Sequence, residues 1–311
     1  MARPDHRSNR KRAVLYTLLG VAVAILAYAA YMYFSVSSQL APSREDREAL
    51  AGELDVYASA ESTDTARYVL LMGNDRRPGQ GWARSDTIIL MRLEDSGVVS
   101  MLSLPRDTYV DVPGHGMTKL NHASAYGGPA LLIRTVKGLT GLPVHHYVQV
   151  DFEGFAAIVD ALGGVEMKVE HEVVSPEGVV VSAGTRRLTG VEALTVVRDR
   201  KGYVDGDFGR MRTQQAFLLS LAREAAQPQN LPRLPSVIGA TSRNLETDMS
   251  VGQIVDLATD YRAISSDTMR TKTAPGAPSN IGGVSYVVLD EVAFREMLAD
   301  MADGGFGPDE G

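Results

Sequence analysis

The 311-residue chain has no cysteine, which excludes disulfides, thiolate nucleophiles, iron–sulfur clusters and Cys-ligated zinc together. It also lacks a G-x-x-x-x-G-K-[ST] phosphate loop, an H-E-x-x-H pair and a G-x-S-x-G turn, and with them the common signatures of nucleotide, zinc-protease and hydrolase chemistry. His145 and His146 are adjacent at the start of an apparent strand, so they point to opposite faces and chelate poorly. Ser85 and Ser103 have no histidine at a spacing that suggests a nucleophile. Positive charge is in short supply as well. With 31 basic and 38 acidic side chains the net is −7, so no bulk charge draws the chain to nucleic acid. The rest is ordinary: 44 % hydrophobic and 22 % charged residues exclude wholesale disorder and supply a core for one large domain or two modest ones.

The charge is unevenly spread. Residues 1–12 carry Arg3, Arg7, Arg10, Lys11 and Arg12 against Asp5 alone, whereas the remaining 299 carry 26 basic and 37 acidic side chains. From Ala13 to Phe34 follow 22 residues without a charge, a length that crosses a bilayer as a helix. Tyr28, Tyr31 and Tyr33 gather near its far end, where amphipathic rings favour the membrane interface. A cleaved signal peptide has an apolar stretch of only about 7–15 residues and a small-x-small exit; this stretch is longer and ends in bulky Tyr, Met and Phe. The expectation is a single uncleaved transmembrane helix at 13–34 in the cell membrane. The basic residues 1–12 then lie in the cytoplasm, and everything after the helix is extracytoplasmic.

Residues 35–66 are polar and alanine-rich and read as a stalk, helical in part around Arg44–Leu54. Tyr68–Met72, Thr87–Leu93 and Val98–Leu104 are apolar runs of strand length between turn residues. Helical spacing marks Pro129–Leu139, Phe152–Leu162, Gly190–Val197, Phe208–Ala225, Val251–Arg262 and Glu291–Met301. Further strands are expected at His146–Val150, Val165–Val169 and Val284–Val288. Strands interleaved with helices predict one α/β domain over 67–303, with helices covering a mixed sheet and 304–311 as a flexible tail.

Loops beside these strands hold the residues with chemistry. Asp75 and Arg77 follow the first run, Arg84 and Asp86 enter the second, and Arg106 and Asp107 leave the third. Arg198, Arg200, Asp207, Arg210 and Gln214 lie far along the chain. If the three strands are neighbours, several arginines meet at least two aspartates at one edge of the sheet. Arg210 and Gln214 share a helix face. Guanidinium groups match phosphate oxygens and stay charged. Paired aspartates suit a hard divalent cation that keeps waters and phosphate ligands. Together they suit a phosphoryl group in transfer; turn aspartates and surface ion pairs are the plain alternative. Lys119 and Asn121 fall on a loop before a helix, with Asn121 either functional or a cap.

In this order the residues resemble the LytR–CpsA–Psr family of cell-wall ligases. The likeness runs through Gly73-x-Asp75-x-Arg77, Arg84–Thr87, Ser103-x-Pro105-Arg106-Asp107, Lys119-x-Asn121-x-Ala123 and Tyr126-Gly127-Gly128. It continues with Val150–Phe155, Val159–Val165, Leu188–Leu194, Val197–Arg200 and Asp207–Arg210 followed by Gln214. The resemblance implies an α–β–α sandwich whose central mixed sheet and covering helices enclose an apolar tunnel for a polyprenyl chain. It implies an enzyme that moves a glycopolymer, such as a teichoic acid, from a polyprenyl-pyrophosphate carrier to peptidoglycan through a phosphodiester. The implied cofactor is Mg²⁺, with Mn²⁺ as its substitute. Carried over position by position, Asp75 and Asp86 would hold the metal. Arg77, Arg84, Arg106, Lys119, Arg198, Arg200, Arg210 and Gln214 would bind the pyrophosphate. Asp86, Arg84, Arg106, Arg198, Asp207 and Arg210 would form the catalytic set, with Asp207 orienting the arginines or the metal's water.

One position departs from the pattern. Many members carry an arginine three residues after the Asp-Phe-Gly-Arg arginine; here Thr213 stands there, and Arg212 points about 100° away on a helix. Two other functions compete with the ligase: a membrane-anchored sensor that binds a polyprenyl lipid, and a pyrophosphatase that lets water replace the acceptor. Lipid binding alone does not need Asp75, Asp86 and Arg106 together; the pyrophosphatase would use the same residues.

Overall fold

The computed structural model describes residues 38, 40–57, 66–75 and 81–307. The continuous apolar runs become the middle of a sheet. β1 (Arg67–Asn74), β2 (Ser85–Leu93) and β3 (Val99–Ser103) pair antiparallel in sequence, as short connections allow. The hairpin of β4 (Tyr109–Val112) and β5 (Gly116–Lys119) leads into the helix Leu120–Thr140, after which β6 (His146–Asp151) returns parallel to β1. β7 (Val165–Val169), β8 (Val173–Val174), β9 (Val180–Val181) and β10 (Gly184–Leu188) form two small ribbons outside that sheet. β11 (Leu245–Thr247) joins β6 antiparallel and β12 (Met269–Thr273) joins β3 parallel, giving a six-stranded mixed sheet in the order β11-β6-β1-β2-β3-β12. β13 (Gly276–Ile281) and β14 (Val284–Leu289) make a last hairpin before the helix Glu291–Ala302.

Alternation along the strands feeds two cores. Leu70, Met72, Leu90 and Leu102 pack with Leu132, Ile133 and Val136 of the helix Leu120–Thr140 and with Phe294 and Met301 of Glu291–Ala302. Val69, Ile89 and Met101 pack with Leu218 of the helix Asp207–Ala225 and Ile254 of Val251–Asp260. Helices therefore cover both faces of the mixed sheet. Antiparallel pairing brings the end of β1, the start of β2 and the end of β3 to one side.

Three segments differ from expectation. Of the stalk expected at 35–66, the described residues lie against the domain. Leu40 is 1 % exposed among Ile238, Leu245 and Val251, and Leu50 enters the main core. Lys137 donates to Asp55 Oδ1 at 2.9 Å, and Arg134 pairs with Glu53. Two leucines dock a stretch whose average polarity hides them. At the other end, residues 304–307 of the expected flexible tail are seated. Phe306 is 0 % exposed, its N–H donates to Ser100 Oγ at 2.9 Å, and Arg270 donates to its carbonyl. Finally, the helix expected from Pro129 is present and runs to Thr140, but a further helical stretch from Leu120 precedes it, so Asn121 lies inside that stretch and caps nothing. A kink at Gly127 and Gly128 (φ −145° and +62°) breaks the periodicity that would have revealed the first turns. Among the described residues no helix is long and apolar enough to cross a membrane; the span expected at 13–34 lies outside them, as do Arg77 and residues 308–311.

Candidate active site

Element ends place each charged side chain. Asp86 is the second residue of β2, and Arg106 leaves β3 in a turn closed by the Thr108 N–H to Pro105 O at 3.0 Å. The Asn121 N–H ties that turn to the helix by donating to Arg106 O at 3.0 Å. So fixed, Arg106 Nη1 donates to Asp86 Oδ1 at 2.5 Å. Asp107 pairs with Lys119 Nζ at 2.8 Å and lies 3.7 Å from Arg106 Nε.

The other half comes from two helices. Gly190–Arg198 starts in a capping box of Thr189 and Glu192. It lies so close to the helix Phe152–Ala161 that a Cβ at Gly190 would sit 2.2 Å from Ala156 O. It ends at Arg198, whose guanidinium is 4.5 Å from the Phe152 ring centre. The helix Asp207–Ala225 follows Gly206, at φ +56°, and holds Asp207 in its first turn, where the helix dipole favours a carboxylate. Asp207 Oδ2 accepts from Arg210 Nη2 at 2.9 Å. Asp207 Oδ1 lies 3.2 Å from Arg200 Nε, an ion pair without hydrogen-bond alignment. Arg210 Nη2 also donates to the Asp86 backbone carbonyl at 3.3 Å, so one guanidinium links helix and sheet.

Arg210 is only 4 % exposed. Burial, aided by Arg200 and Arg106 and opposed by Asp207 and Asp86, pulls its pKa from the usual arginine range down to about 10. Arg106 goes the other way: burial works against its charge, but Asp86, Asp107 and Asp207 outweigh it and raise its pKa. A buried arginine pulled down in the company of other cations marks a place where a bound anion is welcome.

These groups border an apolar cavity of about 400 Å³. Leu71 and Val148 of the sheet line it, with Phe155, Leu194, Phe217 and Leu221 from three helices, and its charged part is Asp75, Asp86, Asp151, Arg198, Arg200 and Arg210, with the Gln214 amide beside them. A polar basin of about 540 Å³, lined by Trp82, Arg84, Arg106, Asp107, Lys119, Asn121 and His122, shares Asp75 and Asp86 with the cavity.

The LytR_cpsA_psr family model matches residues 30–303. The chain belongs to the LytR_cpsA_psr family. A polyisoprenyl-teichoic acid–peptidoglycan teichoic acid transferase TagU of Halalkalibacterium halodurans is 31 % identical over 288 residues, covering 90 % of this chain and 93 % of that protein. The TagU of Oceanobacillus iheyensis is 34 % identical over 240 residues, covering 75 % and 74 %. Among solved structures, TagV of B. subtilis matches with a TM-score of 0.69 at 28 % identity, covering 76 % of this chain and 97 % of that one. TagT bound to LI-WTA matches with a TM-score of 0.67 at 29 % identity, covering 81 % and 96 %. The helix-covered mixed sheet is thus the LytR_cpsA_psr architecture.

Of the residues that the LytR_cpsA_psr pattern singles out, Asp75, Arg84, Asp86, Arg106, Lys119, Arg198, Arg200, Arg210 and Gln214 line the cavity or the basin, and Asp207 holds two of the arginines. Gln214 Nε2 also donates to Val197 O at 3.2 Å, steadying the end of the Arg198 helix. The departure at Thr213 has a local cause. Thr213 is buried, donates to Gly209 O at 3.2 Å and bonds the Tyr203 hydroxyl, while Arg212 turns to Asp205 at 2.5 and 3.2 Å. Trp82 and His122 in the basin escape sequence reading because neither stands in a recognisable pattern with the charged residues. Among the described residues no group of three or more His, Asp or Glu forms a ready metal cage. Asp75 and Asp86 are an all-oxygen pair on the wall the two spaces share. That donor set fits Mg²⁺, whose shell is completed by water and phosphate.

Proposed function

We propose that this chain is a transferase that moves a glycopolymer from a polyprenyl-pyrophosphate carrier to peptidoglycan through a phosphodiester, in cell-wall assembly. The observation that carries the reading is the meeting of an apolar cavity and a polar basin at Asp75 and Asp86, beside Arg106, Arg198, Arg200 and Arg210. An apolar polyprenyl chain suits the first space, which would serve as its tunnel. A pyrophosphate suits guanidiniums that stay charged, and a glycan suits the second space. The relatives named as teichoic acid transferases support that class of polymer.

In this mechanism Arg198, Arg200 and Arg210 grip the pyrophosphate, Arg84 and Lys119 face it from the basin, and Asp207 positions Arg200 and Arg210. An acceptor sugar hydroxyl forms a new P–O bond to the glycan-bearing phosphorus as the bond from that phosphorus to the bridging oxygen breaks. Polyprenyl phosphate leaves with the electron pair, and the hydroxyl proton passes to solvent. Charge grows on the leaving oxygen, where guanidiniums already in place stabilise it with little reorganisation. Asp75 and Asp86 would hold Mg²⁺ or Mn²⁺, which supplies further neutralisation of phosphate charge. Residues 13–34 would anchor the protein in the cell membrane by a single pass, N-terminus cytoplasmic and the catalytic domain outside.

The test gives the full-length protein a radiolabelled polyprenyl-pyrophosphate glycan, peptidoglycan oligomers and Mg²⁺, beside an Asp86→Ala variant. Label in the peptidoglycan, dependent on Mg²⁺ and lost in the variant, is the expected result. Free glycan phosphate without wall label would make the protein a pyrophosphatase instead. Lipid binding with neither product would make it a sensor.

A further inference from the structure

The polar basin holds more than cations. Trp82, the only tryptophan of the chain, lines it and is 36 % exposed. Its indole rests on Gly128, where a Cβ would sit 2.7 Å from Trp82 Cε2. The same glycine carries the φ of +62° at the kink of the helix Leu120–Thr140, so a side chain there is excluded twice. The kink thus makes room for a flat aromatic wall beside the charged junction. In the same basin Asn121 is 4 % exposed, and its Oδ1 has no hydrogen-bond partner. A buried amide oxygen without a donor is uncommon in a folded protein. His122 adds a ring held by Thr118 Oγ1 at 2.8 Å. Burial, with Arg84 and Lys119 nearby, lowers its pKa, so at neutral pH it offers a hydrogen-bonding ring and no extra cation.

A pyranose presents an apolar face of C–H groups, a rim of hydroxyl donors and, in this chemistry, a phosphate attached to or approaching one end. Pockets that take such ligands combine a flat apolar surface with a few placed polar groups. We infer that the basin is a sugar subsite, in which a pyranose ring lies against Trp82 and donates a hydroxyl hydrogen to Asn121 Oδ1. The inference rests on the transferase reading for the adjoining phosphate and deepens it by placing the glycan.

Because Trp82 is the only tryptophan, its emission reports the basin directly in the full-length protein. Three probes are titrated separately: N-acetylglucosamine 1-phosphate for the donor head, disaccharide-peptides released from peptidoglycan by a muramidase for the acceptor, and undecaprenyl pyrophosphate as the sugar-free lipid. A saturable change in Trp82 emission with a sugar probe is expected, and which probe produces it tells donor from acceptor. By calorimetry, Trp82→Ala should weaken that probe at least about tenfold, and Trp82→Phe, which keeps a ring, much less. A loss of the same size for undecaprenyl pyrophosphate would show a disturbed phosphate site and overturn the subsite. No response to either sugar also overturns it. Lipid binding that persists in that case leaves the transferase reading standing, whereas its absence removes both.

Discussion

Replacing Arg210 with methionine is expected to leave the protein inactive and more stable. The guanidinium is almost fully buried, and its pKa falls from the usual arginine range to about 10 because burial, Arg200 and Arg106 outweigh Asp207 and Asp86. At about 1.36 kcal/mol per pH unit, that depression weighs about 3 kcal/mol against the charged form. A base whose folded pKa lies below its unfolded one destabilises the fold wherever both states hold the proton, and the penalty fades as pH rises above about 10. Methionine has a similar reach without the charge, and Asp207 keeps Arg200 at 3.2 Å, so its carboxylate is not stranded. Allowing for the lost hydrogen bond to Asp86 O, the gain at neutral pH is about 2–3 kcal/mol, or roughly 5–10 °C in melting temperature. Thermal unfolding followed by circular dichroism, at about pH 7.5 and about pH 10.5, reads it: the variant should melt higher, and the gap should narrow at the higher pH. Inorganic pyrophosphate at a hundredfold its Kd should stabilise the wild type by about 2.7 kcal/mol and the variant less. A variant that melts at or below the wild type near neutrality would refute the argument that Arg210 is held against its preference.

Thr213→Arg, which restores the residue common elsewhere in the family, should lose about 1–3 kcal/mol by crowding a buried position and gain no transfer rate; faster label transfer would mean that position 213 reaches the phosphates after all. Phe306→Ala should cost about 3–5 kcal/mol in urea titration, and a negligible loss would show the last turn to be loosely seated. Asp199 is a pH probe. Burial opposes its charge, yet His171 Nε2 at 2.8 Å and the N–H groups of Lys201 and Gly202 outweigh burial and lower its pKa. That contribution is present above the unfolded pKa and lost as pH falls through the lowered folded value, so from about pH 5 to about pH 2.5 the wild type should lose more stability than Asp199→Asn. Equal acid limbs would remove Asp199 from the account.

The strands that could be read from residues alone are those buried on both faces: β1, β2 and β3 carry apolar runs that Arg92 and Ser100 interrupt only singly. β7 showed itself by strict alternation. β10, β12 and β13, with sequences GTRRL, MRTKT and GAPSNI, have too few apolar residues to register, and they are strands because a neighbour completes their hydrogen bonds. Asn121 was hidden by the Gly127–Gly128 kink, and Leu40 and Phe306 by standing alone in polar surroundings. In the site, each arginine and aspartate was visible as a residue, but their convergence depends on which strands are neighbours. The link from Asp207 to Arg200 and Arg210 exists only through the packing of two helices. Trp82 had no local signal, because what gives it a role is a glycine 46 positions away in the chain.

The outer strands of the sheet bear on a different matter, the tendency of the protein to self-associate. β11 is three residues long, and β12 carries Arg270 and Lys272. A short edge offers an incoming strand little to pair with, and a basic one repels a second copy of itself. The middle strands, rich in Leu, Ile and Met, would template aggregation readily if they stood at the rim; here they are quarantined between polar borders. Arg270 is held by the carbonyl of Phe306, so loss of that turn would loosen the guarded border beside β3. Truncation before Phe306 is therefore expected to raise the tendency to aggregate, beyond any loss of fold stability.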